Sequence, residues 1–121
     1  MEIAYVVLYV DDAELCRRFW IEQVGMVERS RKDVDGVSIV QVGFDGQSSM
    51  SLELVPRVLV ADNPYGLDLG TPSMCMRVAD LQAAHAELSA RGVSTSPIGE
   101  HSGTLSFAFS DPEGRWFAVA L

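Results

Sequence analysis

Ile3 to Val10 reads Ile-Ala-Tyr-Val-Val-Leu-Tyr-Val, a nearly unbroken apolar run rich in Val and Tyr. Such a run predicts a mostly buried strand. Asp11, with Glu14 three residues later, opens a helix in the manner of a capping box. Leu15, Cys16, Phe19, Trp20 and Val24 fall on one helical stripe, and Gly25 ends the helix as a left-handed cap. Val27 to Lys32 and Val37 to Phe44 are the arms of a hairpin across Asp35-Gly36. A second turn at Asp45-Gly46-Gln47 leads into a strand from Ser49 to Val55, alternating cleanly from Met50 onward.

The pattern then repeats in weaker form. Ser73-Met74-Cys75-Met76-Arg77-Val78-Ala79-Asp80 matches the opening strand and helix start. Asp80 caps a helix in which Leu81, Ala84 and Leu88 share a face, and Gly92 ends it. A short strand is expected over Val93 to Ile98, then closing strands over Leu105 to Ser110 and Trp116 to Leu121. The copies divide the chain into repeat 1 (1–55), a turn-rich linker (56–72) and repeat 2 (73–121) within a single domain. A duplicated unit of about 50 residues is too short to bury its own apolar face, so the copies are expected to pack together. Strand, helix and three strands, twice over, make an α+β chain with a mixed, mainly antiparallel sheet.

Composition narrows the function classes. With 48% apolar residues the chain is globular, and no apolar run approaches a membrane span. The N-terminus lacks the basic region and cleavage site of a signal peptide, so a cytoplasmic location is expected. The net charge of −8 argues against nucleic acid and is compatible with a cationic ligand, although acidic surfaces chiefly serve solubility. Cys16 and Cys75 do not form a disulfide or metal framework.

The helix entry Val10-Asp11-Asp12, the helix exit Val24-Gly25-Met26 and the segment Phe107-Ala108-Phe109-Ser110-Asp111-Pro112-Glu113-Gly114, in that order, resemble the vicinal oxygen chelate superfamily. That group includes glyoxalase I, extradiol dioxygenases, and fosfomycin- and bleomycin-resistance proteins. The resemblance spans essentially the whole chain. It implies two βαβββ units forming a curved mixed sheet around a cleft, assembled as a homodimer.

Metalloenzymes of that superfamily carry His or Gln on the first strand of each unit and Glu on the last. By resemblance these positions fall on Tyr5, Glu53, Ser73 and Ala118. Only Glu53 has a good ligand side chain, and a divalent site needs three or four N or O donors. No metal and no cofactor is therefore expected. Trp20 on the helix stripe is core, His85 sits within the second helix on a solvated face, and His101 lies in a loop able to close over the cleft.

Strand alternation extends the same mapping to the cleft lining. Tyr5, Val7 and Tyr9, then Ser51, Glu53 and Val55, then Ser73, Cys75 and Arg77, then Trp116, Ala118 and Ala120 face it. Leu8, Leu52, Leu54, Met74, Met76, Phe117, Val119 and Leu121 take the opposite faces, against the helices. The ligand-binding set is Tyr5, Tyr9, Glu53, Ser73, Cys75, Arg77 and Trp116. Glu53 is open to three accounts: an ion pair with Arg77, a counter-charge for a ligand, or a general base. Cys75 is either a small buried hydrophobe or a thiol, and no neighbouring base supports a reactive one.

Aromatic rings, small residues, one carboxylate and one guanidinium suit recognition better than hydrolysis. The expected function is metal-independent binding of a small aromatic or cationic compound such as an antibiotic, in the manner of the bleomycin-resistance branch. The alternative is a metal-free isomerase, lyase or cyclase using Glu53 with His101 or Tyr5. The partners expected are a small molecule and a second copy of the chain, with no nucleic acid and no membrane.

Overall fold

Strand β1 (Tyr5–Val10) pairs in parallel with β4 (Ser51–Pro56), not with the strand that follows it in sequence. Parallel neighbours require a crossover, and helix α1 (Ala13–Arg18) with the hairpin of β2 (Val27–Val34) and β3 (Val37–Gly43) supplies it. The resulting four-stranded sheet has the order β1-β4-β3-β2. The second copy repeats this with β5 (Cys75–Arg77), α2 (Leu81–Ala90), β6 (Gly99–His101), β7 (Thr104–Ser110) and β8 (Trp116–Ala120), ordered β5-β8-β7-β6. The chain is α+β, with two four-stranded mixed sheets. The computed structural model describes residues 1–46, 50–101 and 103–121. The Gln47 end of the expected turn, the Ser49 start of the expected strand, and Ser102 lie outside the described residues. The compact units are Met1–Pro72 and Ser73–Leu121. Among the described residues no helix is long and apolar enough to cross a membrane.

In the first unit Asp12, not Asp11, caps α1 (Ala13–Arg18). Its backbone is extended, and its Oδ1 accepts Leu15 N–H at 3.0 Å. Glu14 closes no capping box; it binds Arg17 at 2.7 Å, and Asp11 pairs with Arg57 at 3.4 Å. The helix continues as a wider π-turn, Phe19–Gln23, and Gly25 leaves it at φ 96°. Cys16, Phe19 and Trp20 are buried, but Leu15 lies at the edge of the stripe and is 39% exposed. α1 packs on β3 and β4, and Leu8, Val10, Val40, Val42, Leu52 and Leu54, alternate positions along three strands, are buried on one face of the sheet. The Asp35-Gly36 turn has positive φ at both residues, the geometry that matches strand twist. After β4, Arg57–Val60 forms a 3₁₀ turn, and Asn63 closes the next loop with two side-chain bonds to the Leu67 backbone.

In the second unit Asp80 caps α2, accepting Ala83 N–H at 2.9 Å. Gly92, at φ 81°, closes it: Gly92 N–H reaches Ser89 O and Val93 N–H reaches Leu88 O. Three expectations are corrected here. Val93 to Ile98 makes only a single bridge, Thr95 to Phe109. Ser96 Oγ rather than a backbone carbonyl takes Ala108 N–H, and Pro97 has no N–H to offer a ladder. The pairing strand is Gly99–His101, so His101 sits in a strand rather than a closing loop. His85 is not on a solvated face: it is half-buried, its Nε2 lies 2.9 Å from Ser96 O, and its ring meets Phe107 edge-on at 4.9 Å.

The Asp111–Arg115 turn joins β7 to β8. Asp111 Oδ1 accepts the N–H groups of Glu113 and Arg115, while Oδ2 takes Arg115 Nη1 at 3.0 Å. Arg115 Nη2 reaches Glu113 at 2.9 Å. Burial pulls the Arg115 guanidinium down, but its bonds to Asp111 and Glu113 outweigh that and raise its pKa. The Asp-Pro-x-Gly segment is thus a self-contained buried lock that sets the start of β8.

Candidate functional site

In the first unit the face opposite Leu52 and Leu54 carries the predicted residues. Register places Val7, Glu53, Gln41 and Ser30 in one row across four strands, with Tyr5–Ser51 and Tyr9–Val55 on either side. Tyr5 is 44% exposed; Tyr9 and Glu53 are half-buried. A half-buried carboxylate among apolar strands costs free energy unless it is hydrogen-bonded. Gln41 meets this need by donating its Nε2 to Glu53 Oε1 at 3.1 Å. Gln41 was missed from the sequence, although it carries the same signal as Glu53: a polar residue between Val40 and Val42.

Arg29 was missed too. A bulge between Glu28 and Ser30 leaves it out of the strand register. Its guanidinium lies over Gly43, where a Cβ would come within 2.6 Å of Arg29 Cζ. There it donates to the carbonyls of Phe44 and Met50 and to Ser51 Oγ. Ser51 and Val55, expected to line the open face, are instead buried, at 5% and 8% exposure. The end of the linker returns to the other end of this face. Asp68, Gly70, Thr71 and Pro72 line an open cavity of about 380 Å³ with Val7 and Tyr9.

The second unit has a face of small residues. Cys75, Ala118 and Ala108 form one row, Arg77, Ala120, Ser106 and Gly99 the next, and Trp116 pairs with Ser110. Trp116 is 54% exposed; Arg77, Cys75 and, just before the strand, Ser73 are exposed as well. Cys75 is a free thiol, so its reading as a buried hydrophobe is corrected: its strand is short and at the edge of its sheet. Met74 and Met76 are half-buried and Leu121 is 60% exposed, whereas Phe117 and Val119 are core. His101 Nδ1 lies 3.2 Å from Ser106 Oγ.

The resemblance assigns the metal-ligand positions of related enzymes to Tyr5 and Glu53 in the first unit and to Ser73 and Ala118 in the second. Of their side chains, a phenol, a carboxylate, a hydroxyl and a methyl group, only the carboxylate is a good ligand for a divalent ion. Among the described residues no group of three His, Cys, Asp or Glu side chains converges elsewhere.

Residues 2–119 match the family model of the Glyoxalase/Bleomycin resistance protein/Dioxygenase superfamily. Among solved structures the chain is similar to TnmS3, an antibiotic binding protein from Streptomyces sp. CB03234. The identity is 22%, over 99% of this chain and 94% of that one, with a TM-score of 0.79. It is also similar to a glyoxalase/bleomycin resistance protein from the same source, at 23% identity, 99% and 100% coverage and a TM-score of 0.74. A member of the superfamily from Sphaerobacter thermophilus DSM 20745 follows at 20% identity, 99% and 96% coverage and a TM-score of 0.78. At these identities the likeness is one of fold. No curated protein matches the chain.

Proposed function

The chain belongs to the Glyoxalase/Bleomycin resistance protein/Dioxygenase superfamily, and from that premise we propose that it binds and sequesters a planar aromatic, cationic, antibiotic-like compound without a metal. One observation carries the reading: Glu53, held by Gln41, shares a face with Tyr5 and Tyr9. Rings offer flat contact surfaces and attract cations, and a fixed carboxylate anchors the charge. In the second unit, Ser73, Cys75, Arg77 and Trp116 are the candidate contact residues of that unit's own exposed face. Superfamily membership leaves the chemistry open, because function resides in the site. The donor set at the metal positions favours binding without a metal, and the similarity to TnmS3 favours an antibiotic as ligand.

We also place the protein as a two-fold homodimer, the commonest assembly. Exposed Ile3, Val58, Tyr65 and Leu67 give the first unit apolar surface to cover. Sedimentation at micromolar concentration is expected to give twice the chain mass, and a monomer contradicts this. The binding reading is tested by a thermal-shift screen of planar aromatic cations and their neutral analogues. Selective stabilisation by the cations supports it, and no stabilisation by any of them overturns it.

A further inference from the structure

The segment joining the two copies has chemistry of its own. Asp68 to Pro72 return to β1 and wall an open cavity of about 380 Å³ with Val7 and Tyr9. Small-ligand sites span roughly 300–1,000 Å³. Val7 is the register partner of Glu53. Adjacent strands lie about 4.8 Å apart, so Glu53 sits one strand over from the Val7 wall of this cavity, its carboxylate held by Gln41 of β3. Tyr9 presents its ring in the cavity wall, a surface that attracts cations. Asp68 brings a carboxylate to the wall itself. Its Oδ1 takes Gly70 N–H at 2.8 Å, which shapes the turn, and its negative charge has no cationic partner among the described residues.

We propose that this cavity is the ammonium subsite of the ligand-binding face: Asp68 and Glu53 flank the cationic group of a planar ligand over Tyr9. The inference rests on the proposed binding of an aromatic cation and names the recognition residue that the strands alone do not supply. The 56–72 segment is then part of the binding apparatus as well as a connection.

The test is a fluorescence titration of the full chain with 9-aminoacridine, a planar cation, and with acridone, its neutral analogue. Asp68→Asn removes the charge but keeps the Oδ1 acceptor that Gly70 uses. Asp62→Asn removes a charge from the same segment outside the cavity. Asp68→Asn is expected to weaken 9-aminoacridine about threefold or more, the scale of a partly exposed ion pair, and to leave acridone unchanged. Asp62→Asn is expected to leave both unchanged. Asp68→Ser, which also keeps an acceptor, is expected to rank with Asp68→Asn. The proposal is overturned if Asp68→Asn behaves like Asp62→Asn, or if acridone weakens in step with the cation. Wild-type protein that binds neither probe overturns the binding reading with it. Binding that responds to Glu53→Gln but not to Asp68→Asn overturns this inference alone.

Discussion

Gln41 donates its side-chain amide to Glu53 across the β3–β4 pair at 3.1 Å. Removing one partner of a part-buried hydrogen bond leaves the other unsatisfied, whereas replacing both by apolar groups is close to neutral. Gln41→Leu is therefore expected to cost about 1 kcal/mol in urea unfolding. Glu53→Leu with Gln41→Leu is expected to cost less than the sum of the single changes. Strict additivity would mean that the two side chains do not depend on each other.

Arg29 and Gly43 form a second coupled pair. An alanine Cβ at Gly43 would lie 2.6 Å from Arg29 Cζ and Nε, so the guanidinium must shift relative to Phe44 O, Met50 O and Ser51 Oγ. Gly43→Ala and Arg29→Ala are each expected to destabilise by about 1–2 kcal/mol, a common range for lost hydrogen bonds. Once Arg29 is gone, the added methyl has little left to displace. The double variant is expected to resemble Arg29→Ala, and a double-mutant cycle of denaturation midpoints measures this.

The buried Asp111–Arg115 pair is expected to be costly to break. The side chain of Asp111 is 0% exposed and that of Arg115 is 7% exposed. Arg115→Ala strands a buried carboxylate, at roughly 3 kcal/mol or more. Differential scanning calorimetry of this variant should show a large fall in melting temperature. An exposed pair would shift it hardly at all.

Helix α1 and strand β2 are joined by Glu14, Arg17, Glu28 and Arg31, at distances from 2.7 to 4.0 Å. The hydrogen bond from Arg17 holds Glu14 below its usual value of 4.5, and Arg31 does the same for Glu28. A carboxylate lowered in the folded state contributes stability above its unfolded pKa and loses it as pH falls through the folded value. Urea midpoints are therefore expected to decline below about pH 4.5. Because these side chains are partly exposed, the decline is modest and added salt reduces it. Arg17→Ala with Arg31→Ala is expected to flatten it; an unchanged acid limb would show that the network is not the cause.

Much of the fold was legible because local chemistry and tertiary structure agree. Asp35-Gly36 turns a hairpin, Asp80 caps a helix, Gly25 and Gly92 end helices, and Leu8, Leu52, Leu54, Phe117 and Val119 go inside. The misreadings arose where one polar group replaced another. Asp11 and Asp12 are equally good caps in sequence, and only the chain path chooses Asp12. Ser96 Oγ takes a ladder bond that a strand reading assigns to the backbone, which moves the strand to Gly99 and carries His101 with it. Of the site, Glu53 stood out as a charge between leucines. Gln41 carried the same signal and was passed over. Arg29 could not be found, because a bulge leaves no mark in a charged strand such as Val27–Val34. The approach of Asp68 to Tyr9 depends on the path of a long segment that no periodicity describes.

The central claim is that Glu53 anchors the cationic group of a bound aromatic compound. It is tested most directly by isothermal titration of 9-aminoacridine and acridone into wild-type protein and Glu53→Gln. A ligand at about 100 times its Kd stabilises the fold by roughly 2.7 kcal/mol, so melting curves give a second readout of the same binding. The account predicts that Glu53→Gln weakens the cation several-fold while acridone binding stays as in wild type. Equal affinity of wild type and Glu53→Gln for the cation would contradict the account, as would an absence of binding by either probe.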